Sequence, residues 1–237
     1  MSEWAAKRFW TEAQVEPADG GYALKLDGRP VRSPGKRPLI LPSAGMAEAA
    51  AAEWAAQEDV IDPTTMPVTR SANSALDQTG PAREGVIDML AAYGETDLLC
   101  YRAEEPEGLV ERQVAAWDPL LSWARDRFDA PLAVTAGVVP ADQPVESLAR
   151  LRGAVAGFGN FGLTGFYDLV TLSGSLVLAL AVAEGRISPS EGWTVSRIDE
   201  DWQIEQWGAD EEAAETAARK AHAFDHAARF LAWSGNA

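Results

Sequence analysis

Cysteine is nearly missing from this sequence. Of 237 residues only Cys100 carries a thiol, so no intrachain disulfide can form. The fold therefore does not depend on an oxidising compartment. Histidine is almost as scarce, with only His222 and His226, at i and i+4 on a helical pattern. That spacing can place two imidazoles on one metal. A catalytic zinc usually takes three protein ligands, so we expect surface histidines and no metal centre. Positive charge is also short: 20 Lys and Arg face 36 Asp and Glu, for a formal net charge of −16. A nucleic-acid binder needs a basic footprint, so that class is excluded. Docking on an anionic membrane is disfavoured as well, whereas a basic protein partner is permitted. The most apolar run, Leu169 to Ala183, is shorter than a membrane span and holds Thr171, Ser173, Gly174 and Ser175. We expect no membrane insertion. The first ten residues lack the apolar core of a secretory signal. The chain reads as cytoplasmic, with a processed organelle protein as the lesser alternative.

Catalytic apparatus is missing too. There is no P-loop lysine motif. Gly157 to Gly162 matches G-x-G-x-x-G, but a helical pattern precedes it where a dinucleotide site needs a strand. We expect a loop between two helices. Ser173-Gly174-Ser175 lacks the second glycine of a nucleophile elbow. Cys100 lies in an apolar run and reads as a buried small hydrophobe. Adjacent carboxylates such as Asp199 with Glu200, or Glu211 with Glu212, follow from so acidic a composition and are weak signs of a glycosidase pair. No cofactor is expected.

What is present divides the chain by period. Residues 8 to 41 read as strands and turns. Tyr22, Leu24 and Leu26 alternate with Ala23, Lys25 and Asp27, and Asp27-Gly28 signals a tight hairpin. Arg29, Arg32, Lys36 and Arg37 form the one basic patch, which also suits a charged sheet edge. Ser43 is placed to cap a helix carrying Met46, Ala50 and Trp54 on one face. Strands and helix make a two-layer unit. A helix over 68 to 78 leads to Gly80-Pro81, the best linker signal. Beyond it the spacing is mainly helical: 82–93, 109–128, 145–156, a core helix over 169–183, and 213–233. Residues 98–102 suggest a short buried strand and 134–139 an extended run. The fold class expected is α+β, a small mixed α/β N-terminal domain over 1–79 and a larger mainly α-helical C-terminal domain over 80–237.

The run Asp199 to Glu212 gathers acids, two glutamines and two tryptophans. At about 100° per residue, Asp199, Gln203 and Gln206 share one stripe, flanked by Trp202 and Trp207. Gly208 reads as a helix stop and Asp210 as the next N-cap. Two readings stay open: tryptophans packing a core beneath a solvated face, or a surface built to grip a protein. On the first reading, cutting either tryptophan to alanine costs about 3–5 kcal/mol of stability, whereas Glu200, Glu205 and Glu212 are expected to be exposed on both.

Segments along nearly the whole chain resemble one family. They are Arg8-Phe9-Trp10, Leu26 to Arg32 with its Pro-Gly-Lys turn, Ala52 to Gln57, Met66 to Arg70 and Tyr93 to Arg102. Gln113 with Trp117 to Leu121, Thr171 to Ala181 and Asp199 to Glu212 complete the series. The family comprises the assembly chaperones that bind the alpha subunit of the F-type ATP synthase catalytic head, and the short N-terminus resembles its bacterial members. Other members work in the mitochondrial matrix. The resemblance implies a non-enzymatic, ATP-independent chaperone with the same two-part fold; the sequence does not fix its oligomeric state, and a monomer is the expectation. Its acidic tryptophan motif maps onto Asp199, Glu200, Trp202, Gln203, Trp207 and Glu212, and Glu205 lies within the same partner-binding stretch. The competing classes are a carboxylate-dependent hydrolase and a protein-binding module with another client.

Overall fold

Two Asp-Gly pairs, Asp19-Gly20 and Asp27-Gly28, turn the first sheet. The computed structural model describes residues 7–137 and 140–235. Strand β1 (Ala13–Ala18) pairs antiparallel with β2 (Gly21–Leu26), from Ala13 opposite Leu26 to Ala18 opposite Gly21. Gly20, Asp27 and Gly28 have φ of +80°, +46° and +77°, the left-handed backbone such tight hairpins demand. Asp27 is held there because its carboxylate accepts from the N–H groups of Glu12 and Thr11. Those bonds also keep its carboxyl below the usual carboxylate range. Strands β3 (Arg29–Pro30) and β4 (Ile40–Leu41) both pair with β2, one after the other along its other edge.

The sheet's buried leucines, Leu24, Leu26, Leu39 and Leu41, form a core with Met46, Ala47 and Ala50 of helix α1 (Ala44–Ala55). Ser43 Oγ accepts from the Met46 N–H at 3.3 Å, the expected cap. Glu53 of α1 reaches across to helix α2 (Pro67–Ser74) and accepts from Val68 N–H (2.6 Å) and Thr69 N–H (2.8 Å). A carboxylate at a helix N-terminus satisfies donors the helix leaves free. Gln57 is buried and ties the Asp62 N–H and the Thr65 hydroxyl to the end of α1. The helix expected over 68–78 is α-helical only to Ser74; Ala75–Thr79 is π-helical.

The chain divides into two compact units. One comprises the chain up to Arg83, with Gly159–Gly165 and the end of the last helix from Arg229; the other comprises Glu84–Phe158 and Phe166–Ala228. The second unit's elements include most of α3 (Arg83–Ala91), then β5 (Tyr101–Arg102), α4 (Glu107–Phe128), β6 (Thr135–Ala136) and α5 (Val145–Ala156). Strands β5 and β6 make a two-residue parallel pair, and among the described residues no strand follows it. The strand expected over 98–102 begins as a 3₁₀ turn, Leu98–Cys100, and only its end is extended. Val138 and Val139, part of the extended run expected over 134–139, lie outside the described residues.

The apolar run 169–183 is not one core helix. Helix α6 (Asn160–Ser173) stops at Gly174, φ +71°, and Ser175 caps a new helix, α7 (Leu176–Ala183). Leu176 to Val182 are all buried. The break admits Asp97, whose fully buried carboxylate accepts from Ser175 Oγ (2.7 Å), Val177 N–H (2.9 Å) and Leu99 N–H (3.0 Å). A continuous helix would have no free N–H groups to offer there. Burial outweighs these bonds and pushes the Asp97 carboxyl up. The loop expected at Gly157 to Gly162 is also shorter than its motif. The Leu163 N–H already donates to the Gly159 carbonyl at 2.8 Å, so Gly162 lies inside α6. Helices α8 (Pro189–Ser196), α9 (Ile198–Trp207) and α10 (Glu211–Trp233) follow.

Asp97→Ala strips the acceptor from a buried hydroxyl and from two buried N–H groups. We expect a loss of about 2–4 kcal/mol, read as a lower urea midpoint with unchanged slope. An unchanged midpoint would mean that apolar burial alone holds α7.

Candidate functional site

Helix α9 has no buried residue. Ten residues make a marginal helix by themselves, so contacts made along α4 must fix it. Trp202 is half-buried, with its ring against Gly108 of α4; a Cβ at Gly108 would come within 2.9 Å of the indole. One turn along α4, the Arg112 guanidinium lies 4.7 Å from the Trp202 ring centroid, a cation–π distance. The same guanidinium donates through both terminal nitrogens to Glu205, at 2.8 and 2.7 Å. This pairing holds the Glu205 carboxyl below its ordinary value and raises that of Arg112. Next to it, buried Gln113 donates to Asp199 Oδ1 at 2.6 Å and accepts from the Ala103 N–H at 2.8 Å. Trp117 is buried and donates from Nε1 to the Val195 carbonyl at 2.9 Å, fixing the end of α8.

The first turn of α9 carries Asp199, Glu200 and Asp201, where the helix dipole favours negative charge. Arg197 stands before them, 3.8 Å from Glu200 and 3.7 Å from Asp201. The helix ends as expected. Gly208 takes φ +91° and returns its N–H to the Ile204 carbonyl at 2.8 Å. Asp210 Oδ1 then accepts from the Ala213 N–H at 2.8 Å, opening α10.

The predicted residues therefore fall into two groups. Asp199, Trp202 and Glu205 are engaged with α4. Glu200, Gln203, Trp207 and Glu212 are exposed. The expected stripe of Asp199, Gln203 and Gln206 is split, since Asp199 is tied to Gln113 while the two glutamines are exposed. Of the two open readings, core packing does not hold for Trp207, which is 79% exposed, beside Ile204 at 39%. Glu205 is exposed as expected but is not free, being locked to Arg112. Glu200 and Glu212 come together in a cleft of about 450 Å³ with Arg197, Asp210, Thr216 and Lys220. Sequence reading did not single out Gly108 or Arg112; their i, i+4 spacing on a long helix was the only available signal.

Other candidates lead elsewhere. Burial, followed by the nearby Asp97 charge, pushes the Cys100 thiol up to about 12, so it is not a poised nucleophile. His222 is exposed and His226 half-buried. Among the described residues no three His, Cys, Asp or Glu side chains gather as a metal site, and no helix is long and apolar enough to cross a membrane.

Residues 7–125 match the family model described as ATP12 chaperone protein. The mitochondrial protein atp12 of Schizosaccharomyces pombe is 24% identical over 225 residues, spanning 88% of this chain and 76% of its own length. The crystal structure of Atp12 from Paracoccus denitrificans is 49% identical, with a TM-score of 0.94 over 98% of this chain and 100% of that one. An aspartate-to-lysine mutant of P. denitrificans Atp12p matches over the same shares with a TM-score of 0.95.

Gly108→Ala puts a methyl group against the Trp202 ring and should loosen α9 without unfolding the protein. We expect faster amide hydrogen exchange across residues 198–207 and a global stability loss of about 1 kcal/mol. Unchanged exchange would show that the tryptophan does not anchor the helix.

Proposed function

The chain belongs to the ATP12 chaperone family, chaperones of ATP synthase assembly, and from that premise we propose that its client is the unassembled alpha subunit of the F-type ATP synthase. In this reading the protein is a cytoplasmic monomer that covers an apolar face of the client, keeps it from aggregating and yields it to assembly. It does so without catalysis, cofactor or ATP. A subunit made before its neighbour exposes a patch meant for that neighbour, and such patches aggregate.

The observation that carries this reading is the exposed Trp207–Ile204 ledge on a helix held firmly by α4. Magnitudes decide which groups give the hold. Covering about 150 Å² of indole at about 25 cal/mol per Å² gives up to about 4 kcal/mol. An exposed ion pair gives about 0–1 kcal/mol. The ledge therefore supplies affinity. The acids around it, Glu200, Asp201 and Glu212, select a client surface with Lys or Arg at its rim.

The exposure of Trp207 makes it a clean probe. Trp207→Ala, Glu200→Lys and Glu212→Lys should each leave stability within about 0.5 kcal/mol. Each should weaken the suppression of aggregation of isolated alpha subunit, measured by light scattering without nucleotide, with Trp207→Ala worst. Full suppression by all three variants would remove the site from this helix. No suppression by the unaltered chain would remove the client.

A further inference from the structure

We propose that the loop joining β3 to β4 is a separate docking surface, fitted to a short acidic segment of a partner protein. Both strands pair with β2, yet between them the chain leaves the sheet after Val31 and rejoins at Leu39. With Arg29 at its base, the excursion carries Arg32, Lys36 and Arg37 and no acid, in a chain of net charge −16.

The loop is pinned. The Ser33 N–H donates to the Arg37 carbonyl (2.9 Å) and the Lys36 N–H to the Ser33 carbonyl (2.8 Å). Arg32 donates from Nη1 to the Lys36 carbonyl at 2.9 Å, which brings two cationic residues together. From the π-helical segment, Asp77 accepts from Ser33 Oγ at 2.8 Å and from the Gly35 N–H at 2.7 Å, while Arg37 donates to the Leu76 carbonyl. A Cβ at Gly35 would collide with the Asp77 carboxylate, so the loop approaches as closely as glycine allows.

Lys36 is the informative residue. Its φ of +65° is a conformation that glycine or asparagine adopts at lower cost. Its side chain is exposed and, among the described residues, makes no ion pair; neither does Arg32. Asp77 faces Arg37, and Asp27 stands near Arg29. A lysine kept in an unfavourable backbone, with no internal partner for its charge, points to an anion outside the molecule. The rest of the chain decides which anion. A nucleic acid or an anionic membrane spreads negative charge that the remaining surface repels. A local run of Asp or Glu on a protein meets the cations and brings little charge elsewhere.

The test uses the full chain, a hexaglutamate peptide and amide NMR titration, with Lys36→Gly and Arg32→Gln as variants. Binding should shift resonances of residues 29–38 only and weaken with salt. Lys36→Gly should weaken it about fivefold while the melting temperature holds, because glycine accepts that backbone. No binding by the unaltered chain, or equal binding by both variants, overturns the proposal. A Lys36→Gly variant that melts lower or aggregates assigns the lysine to the fold or to edge protection and also overturns it. So does tighter capture, through these residues, by phosphatidylserine vesicles or by a single-stranded DNA oligonucleotide.

Discussion

The Asp97 carboxylate is the interaction on which the larger unit depends. An isolated buried charge is costly, and here three donors converge on it: one hydroxyl and two backbone N–H groups. Two of them, the Ser175 hydroxyl and the Val177 N–H, exist only because the chain breaks at Gly174 and starts a helix again at Ser175. The break in turn sets the direction of α7, whose side chains from Leu176 to Val182 are buried on every side. Helix α4 packs on α7, and α4 carries Gly108, Arg112 and Gln113. The placement of α9 thus descends from one buried acid through two layers of helix.

Helix α9 is held by a different physics from α7. It buries no residue completely, and its anchors are polar or amphipathic: a buried amide to Asp199, a two-pronged guanidinium to Glu205, an indole on a glycine. A hydrogen bond to a charged group gives about 1.5–3 kcal/mol, while an exposed ion pair gives about 0–1. Gln113 to Asp199 is therefore the main tie and Arg112 to Glu205 sets direction. Holding a helix by one polar edge leaves its other face free of packing demands. An exposed tryptophan can then persist there without weakening the fold.

Features with local causes were legible in the sequence. Ser43 and Asp210 announce helix starts because a cap bonds to N–H groups three residues away. Asp27-Gly28 announces its hairpin by left-handed backbone. Helix α5 keeps its expected bounds, 145–156, because proline precedes it and glycine follows. What was hidden depends on partners far along the chain. The break at Gly174 lies in an unbroken apolar run, and its cause, Asp97, stands 78 residues before Ser175. Glu205 reads as a solvated acid until Arg112, 93 residues earlier, is seen to grip it. Trp202 and Trp207 look alike at helical spacing. Only one of them meets Gly108. Periodicity likewise carries no sign that Gly159–Gly165 and the chain end group with the first 83 residues.

In the proposed function, the small size of the ledge matters as much as its exposure. A stable protein interface buries about 1,600 Å² in total, far more than one indole and one isoleucine side chain supply. A tight permanent grip would trap the client, since the subunit's proper neighbour must displace the chaperone from the same apolar face. Under that proposal, a hold centred on Trp207, with acids that steer a basic rim, would form quickly and last briefly. In this reading the larger native interface displaces the chaperone, and release draws on no nucleotide. The rigid seating of α9 serves the same end: a ledge already in place loses little entropy on binding, so even a small contact suffices to shield the client until its neighbour arrives.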